Sequence, residues 1–132
     1  MSRLAQCQCG QLQVSVEGEP ATVLVCHCKQ CQRRAGSVFN VSAYFPKEQV
    51  TVRGSYNEFT RSSDAGRSID QHFCPHCGAT VFWYLEMNPK IVGIPVGAFD
   101  DPSFPPPSKS IWESSMHPWV QLDNVPEHKP EQ

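Results

Sequence analysis

The chain has 132 residues, 39% of them apolar, with 11 Lys and Arg against 13 Asp and Glu and a formal net charge of −2. One ordinary domain fits that length, and the acidic balance excludes a nucleic-acid surface, which needs clustered Lys and Arg. There is no apolar run of the ~18 residues that a transmembrane helix needs, and the start, MSRLAQ, lacks the apolar stretch of a secretory signal. The default location is then the cytoplasm, with no membrane partner, where thiols stay reduced.

Twelve prolines favour short strands and irregular loops over long helices. Residues 11–18 (QLQVSVEG) alternate strictly and read as a half-buried strand with Leu12, Val14 and Val16 inward. Residues 21–25 (ATVLV) form a more buried strand that runs into Cys26. A short helical turn follows over Lys29–Ala35. A third strand covers residues 38–45 and is ended by Pro46, which opens a second helical turn at 46–48. Further strands are expected at 49–53, 55–61, Ser68–Phe73 and Thr80–Leu85. Residues 91–97 (IVGIPVG) form another, placed at a sheet edge because of Pro95. Residues 101–108 hold four prolines and read as an extended loop. The expected architecture is one all-β domain over residues 1–132, antiparallel with long loops. Its core spans about residues 6–122, and residues 123–132 form a polar, loosely ordered tail.

Seven cysteines fall in three clusters: Cys7-Gln8-Cys9-Gly10, Cys26-His27-Cys28-Lys29-Gln30-Cys31 and Cys74-Pro75-His76-Cys77-Gly78. The spacings are short enough for neighbouring thiolates to hold one metal ion, and zinc prefers four tetrahedral ligands. Two pairs give a closed site of Cys7, Cys9, Cys74 and Cys77. The middle cluster leaves Cys26, Cys28 and Cys31 as a three-ligand site with one position free. A full shell suits structure and an open one suits exchange with water or substrate. Two zinc ions are therefore expected. Two rival readings use the same residues. One is a redox pair at the Cys-x-x-Cys spacings. The other is zinc at both sites without chemistry, with His27 or a distant residue filling the open position.

These motifs carry a resemblance. Cys7 to Gly10, Cys26 to Ser37 and Phe73 to Gly78 resemble the glutathione-dependent formaldehyde-activating enzyme family, which includes centromere protein V. Similar stretches continue at residues 97–102 (GAFDDP), at Ser110-Ile111-Trp112 and at His117-Pro118-Trp119. The resemblance implies a β-tent of antiparallel sheets, a structural site at Cys7, Cys9, Cys74 and Cys77, and a catalytic one at Cys26, Cys28 and Cys31. It also implies a carbon–sulfur lyase-type activity, in which glutathione and formaldehyde combine to give S-hydroxymethylglutathione.

Three thiolates around zinc can hold a substrate sulfur as thiolate, the nucleophilic form. The expected partner is thus a small thiol or its adduct, with glutathione one candidate. Two alternatives stay open: a zinc-hydroxide lyase or hydrolase, and a non-catalytic zinc module for protein contacts. Around the open site, His27 reads as a proton carrier or a hydrogen-bond partner, its ring turned from the metal. Arg33 and Arg34 could hold a carboxylate. Gly36 and Ser37 offer close backbone approach to substrate. Trp112, His117 and Trp119 could wall the pocket, and Asp100 could serve as an acid–base group or a loop cap.

Overall fold

The computed structural model describes residues 1–63 and 65–132, and strand alternation along them builds two sheets that share one core. The smaller sheet has the order β1-β2-β5: β1 (Ser2–Gln6), β2 (Gln13–Glu17) and β5 (Val50–Arg53). Val14 and Val16 of β2 point inward and are fully buried, as their spacing requires. The larger sheet holds β3 (Thr22–Cys26), β4 (Asn40–Pro46), β6 (Asn57–Ser62), β7 (Ser68–Phe73), β8 (Thr80–Leu85), β9 (Asn88–Pro95), β10 (Lys109–Ile111) and β11 (Glu127–His128). Their order is β11-β10-β3-β4-β9-β8-β7-β6. This is the expected all-β tent. Its pairs are antiparallel except at one end, where β10 runs parallel to β3 and β11 parallel to β10. The proline-rich stretch 101–108 supplies the length that a parallel return needs.

The period of two in the central strands sets up everything that follows. On β4, Ala43 and Phe45 are fully buried in the core shared with the small sheet, whereas Ser42 and Tyr44 line a cavity on the opposite face. On β3, Val23 joins the core, while Thr22, Leu24 and Cys26 line the cavity. One face of the large sheet therefore makes the core, and the other lines the cavity.

Two expectations are corrected. Strand β9 lies between β4 and β8, not at an edge. Pro95 is its last residue, so the missing N–H falls where pairing stops. Residues 123–132 are not loose. Strand β11 pairs with β10, Val125 is buried, and the N–H groups of Trp112, Glu113 and Ser114 donate to the carbonyls of Glu131, Lys129 and Pro130. The tail's backbone acceptors, invisible to a reading of side chains, hold it. Strand β1, unanticipated, completes the small sheet by pairing Ala5 with Val14.

The short helix α1 (Lys29–Ala35) falls where expected. Cys28 is its N-cap, and its sulfur accepts the Cys31 N–H at 3.3 Å. Gly36 ends the helix in the left-handed conformation at φ 65°, with its N–H donating to Gln32 O.

Gly93 of β9 faces Trp83 across the strand pair, and a Cβ there would lie 2.1 Å from the indole Nε1. Gly93→Ala should overpack this contact at a cost of roughly 1–3 kcal/mol. A thermal melt should show a drop of about 3–15 °C. Gly97→Ala, where a Cβ meets nothing within 4 Å, should leave the midpoint unchanged.

Candidate metal centres and active-site cavity

Two tight turns present the first set of sulfurs. The turn after β1 is closed by Cys7 N–H to Leu12 O at 3.0 Å, and the turn after β7 by Cys74 N–H to Ala79 O at 3.0 Å. Gly10 at φ 85° and Gly78 at φ 80° allow each chain to curl around its sulfurs. The ligand atoms of Cys7, Cys9, Cys74 and Cys77 all lie within 4.8 Å of one another. Cys9 Sγ is 3.7 Å from both Cys7 Sγ and Cys74 Sγ. A tetrahedron with ~2.3 Å metal–sulfur bonds has edges of ~3.8 Å, whereas a disulfide is ~2.05 Å. The separations therefore fit a shared metal ion, and all seven cysteines are free. Donors aim at these sulfurs: Gln11 Nε2 at 3.0 Å and His76 N–H at 3.3 Å from Cys74, and Leu12 N–H at 3.3 Å from Cys7. Burial raises the Cys74 thiol, but these hydrogen bonds with those from Cys77 and Cys9 outweigh it and bring it down to about 6. The Gln11 N–H lowers Cys9, but burial and the thiols of Cys7, Cys74 and Cys77 outweigh it and push Cys9 up to about 11, so the full set would give up its protons only to a cation.

The second set is Cys26 at the end of β3 with Cys28 and Cys31 at the start of α1, all buried and mutually within 4.8 Å. Hydrogen bonds from the Cys26 and Cys31 thiols hold Cys28 down to about 2, and the same contact pushes Cys26 up. The three share charge poorly without a cation among them. Each cluster can thus hold a metal ion, and all-sulfur donors are compatible with zinc.

The difference between the clusters lies in their surroundings. Cys26, Cys28 and Cys31 line a cavity of about 310 Å³, whereas the four-cysteine set does not. Tyr44 and Trp83 line it, with Trp83 Nε1 donating to the Tyr44 hydroxyl at 3.3 Å. Burial pushes the Tyr44 hydroxyl up, so it stays protonated and can donate. Trp112 packs against the three cysteines and lines the cavity. Its φ of 57° and ψ of 40° are unusual for a bulky residue, a form of strain that clusters at functional sites.

Other candidates are placed differently. His27 is fully buried and turned from the cavity, its Nε2 2.9 Å from Ser110 Oγ; burial lowers its pKa. Arg33, Gly36 and Ser37 lie on the exposed outer side of α1 and do not line the cavity. Arg33 and Arg34 are neighbours on a helix and point about 100° apart, and it is Arg34 that turns inward. Gly36 serves as the helix cap. His117 meets Gln32 Oε1 at 3.3 Å, Trp119 is 69% exposed, and Asp100 borders a separate groove beside β1. Gln32 was not anticipated. Its Nε2 donates to His27 O at 2.8 Å and Ser115 O at 3.2 Å, bracing the cysteine loop. The cavity cations Arg61, Arg67, Lys109 and Lys129 were also missed. They are scattered along the chain and form no motif.

A two-sheet fold carrying one four-cysteine and one three-cysteine cluster, each able to hold a metal ion, defines a class of β-tent proteins with two candidate cysteine metal centres. Residues 2–115 match the family described as glutathione-dependent formaldehyde-activating enzyme, and the chain belongs to that family. An Aspergillus flavus protein called "Putative glutathione-dependent formaldehyde-activating enzyme" is 26% identical over 122 residues, 85% of this chain. One of the same name from Penicillium rubens is 23% identical over 130 residues, covering 91% of this chain and 67% of its own length. The chain spans 63% of the Aspergillus relative. A crystal structure of a Rhodobacter sphaeroides protein has the same fold, with a TM-score of 0.58 and 24% identity over 75% of this chain and 91% of that one.

Metal analysis should find two ions per chain. Cys74→Ser should lower the melting midpoint by ~10 °C or more, since structural zinc contributes roughly 10–16 kcal/mol in small peptides. Cys28→Ser should lose one ion with a midpoint shift of only a few degrees, because serine is itself a favoured N-cap. Equal, small shifts for the two would contradict this division.

Proposed function

We propose that this chain is a zinc enzyme of the carbon–sulfur lyase type, joining a small thiol to a small carbonyl compound and catalysing the reverse cleavage. The observation that supports it best is the three-sulfur cluster opening on a cavity while the four-sulfur cluster is closed. The family and its relatives' names favour formaldehyde as the carbonyl and glutathione as one candidate thiol. Zinc held by Cys26, Cys28 and Cys31 would supply a Lewis acid that keeps a thiol deprotonated at neutral pH.

The reaction needs no oxidant. A sulfur lone pair forms the carbon–sulfur bond, the carbonyl π pair moves to oxygen, and the proton lost from sulfur balances the one gained there. The residues of the chain supply the rest. Tyr44, protonated in its buried position, donates to the oxygen that gains charge. Trp83 fixes the phenol by its hydrogen bond, and Trp112 walls the cavity beside the cysteines. His27, turned away, serves as a hydrogen-bond brace between β3 and β10. Seven free thiols suit a reducing compartment, so a cytoplasmic location belongs to the same proposal. Among the described residues no helix is long and apolar enough to cross a membrane.

Cobalt substitution tests the reading, because the visible bands of cobalt report its sulfur ligands. Adding a thiol should change the bands of the open site and leave those of the closed site alone. If no thiol perturbs them but a carboxylate or hydroxamate does, the hydroxide alternative replaces this one. If nothing binds and a protein side chain completes the shell, the protein is a non-catalytic module.

A further inference from the structure

Resting on the thiol reading above, we propose that the preferred thiol is a small acidic one with at least two negative charges, of the mercaptodicarboxylate kind, and not a zwitterionic peptide. The cavity is lined by five cations from five segments: Arg34, Arg61, Arg67, Lys109 and Lys129. Among the described residues, no Asp or Glu lines it. Three thiolates and a divalent ion sum to −1, so the walls leave the site strongly positive. Lys129 is partly neutralised by Glu127 at 3.1 Å on the exposed rim, so the arginines matter most.

Arg34 is the most constrained of the five. Its guanidinium sits 4.0 Å from the centroid of Trp83, held over the ring. Its Nη2 is buried and has no hydrogen-bond partner among the described residues. A buried, unpaired donor on a charged group is costly, and a carboxylate from a ligand would satisfy it. Arg61, from β6, offers a second grip. Gln71 Oε1 accepts its Nε–H at 2.8 Å and Ser62 O its Nη1–H at 3.3 Å, which fixes the fork's direction. Neither arginine has an ion-pair partner among the described residues. An α-ammonium group, by contrast, would face these cations without a carboxylate to receive it. The volume of about 310 Å³ sits at the small end of ligand sites, ~300–1,000 Å³. Lys129 also lies beyond the family-matched residues 2–115, so part of this charge is a feature of the chain outside the shared segment.

The test is a titration of the zinc-loaded protein with mercaptosuccinate, malate, 2-mercaptoethanol and glutathione, followed by calorimetry and tryptophan fluorescence. Mercaptosuccinate should bind at least about tenfold more tightly than glutathione or 2-mercaptoethanol, the weight of one charge-assisted hydrogen bond. Its binding should weaken as salt rises, and Arg61→Gln should cost a similar factor. Arg61 is the first variant because Arg34 also packs on Trp83; Arg34→Lys, which keeps the charge but loses the fork, is the second. Glutathione or 2-mercaptoethanol binding as tightly as mercaptosuccinate overturns the charge inference and leaves the thiol reading standing. Malate binding as tightly as mercaptosuccinate overturns the thiol reading instead and leaves the charge inference standing.

Discussion

The fold depends on one covalently modest constraint: four sulfurs from turns 65 residues apart must meet. Cys7 and Cys9 close the hairpin of the small sheet, and Cys74 and Cys77 close the hairpin between β7 and β8 of the large one. A metal ion there would fasten the two sheets where each has only tight turns to offer. A domain of this size has ~5–15 kcal/mol of net stability, so even part of a structural metal's binding energy rivals the total. The apolar core packs the same two sheets together, with Ala5, Leu12 and Val14 meeting Phe45, Phe82 and Ile94. Core and cluster thus act on one joint.

Once the sheets are fixed, the alternation of strand residues allots the two faces. Phe45 and Ala43 turn to the core; Tyr44 and Ser42 turn the other way. Cys26 follows the parity of Thr22 and Leu24, which is why the second sulfur cluster opens on the cavity. The closed cluster lies at turns and has no such face. Two groups of cysteines with similar local spacing therefore acquire different chemical prospects from their place in the sheet.

The cysteine grouping was legible because short spacings fix which sulfurs can meet within a cluster, and the count of three in the middle cluster left the two pairs, 65 residues apart, to each other. Helix α1 was legible from local signals, with Cys28 as cap and Gly36 as terminator. The central position of β9 was not, because Pro95 was read as interrupting a strand that in fact ends on it. The tail was not, because its attachment is through backbone groups to residues 112–114. Arg33 and Arg34 are equivalent in the sequence, and only the rotation of the helix decides that Arg34 enters the cavity. The cationic wall is a tertiary property of residues drawn from α1, β6, β10 and the ends of two loops.

The tail and Trp112 illustrate how remote backbone pairing reaches the site. Trp112 adopts a left-handed conformation that its side chain disfavours, and its N–H is accepted by Glu131 O at 2.8 Å. The adjoining N–H groups of Glu113 and Ser114 are accepted by Lys129 and Pro130, and His128 Nδ1 lies 2.7 Å from Glu113 Oε2. Glu113 raises the His128 pKa by that contact, so this tie is complete at mildly acidic pH, above the lowered range of the Glu113 carboxyl, and fades as pH rises through the raised His128 value. The same tail brings Lys129 and Gln132 to the cavity wall. A segment with little apolar content therefore fixes a strained aromatic beside three cysteines and adds positive charge to the cavity that Arg34 lines.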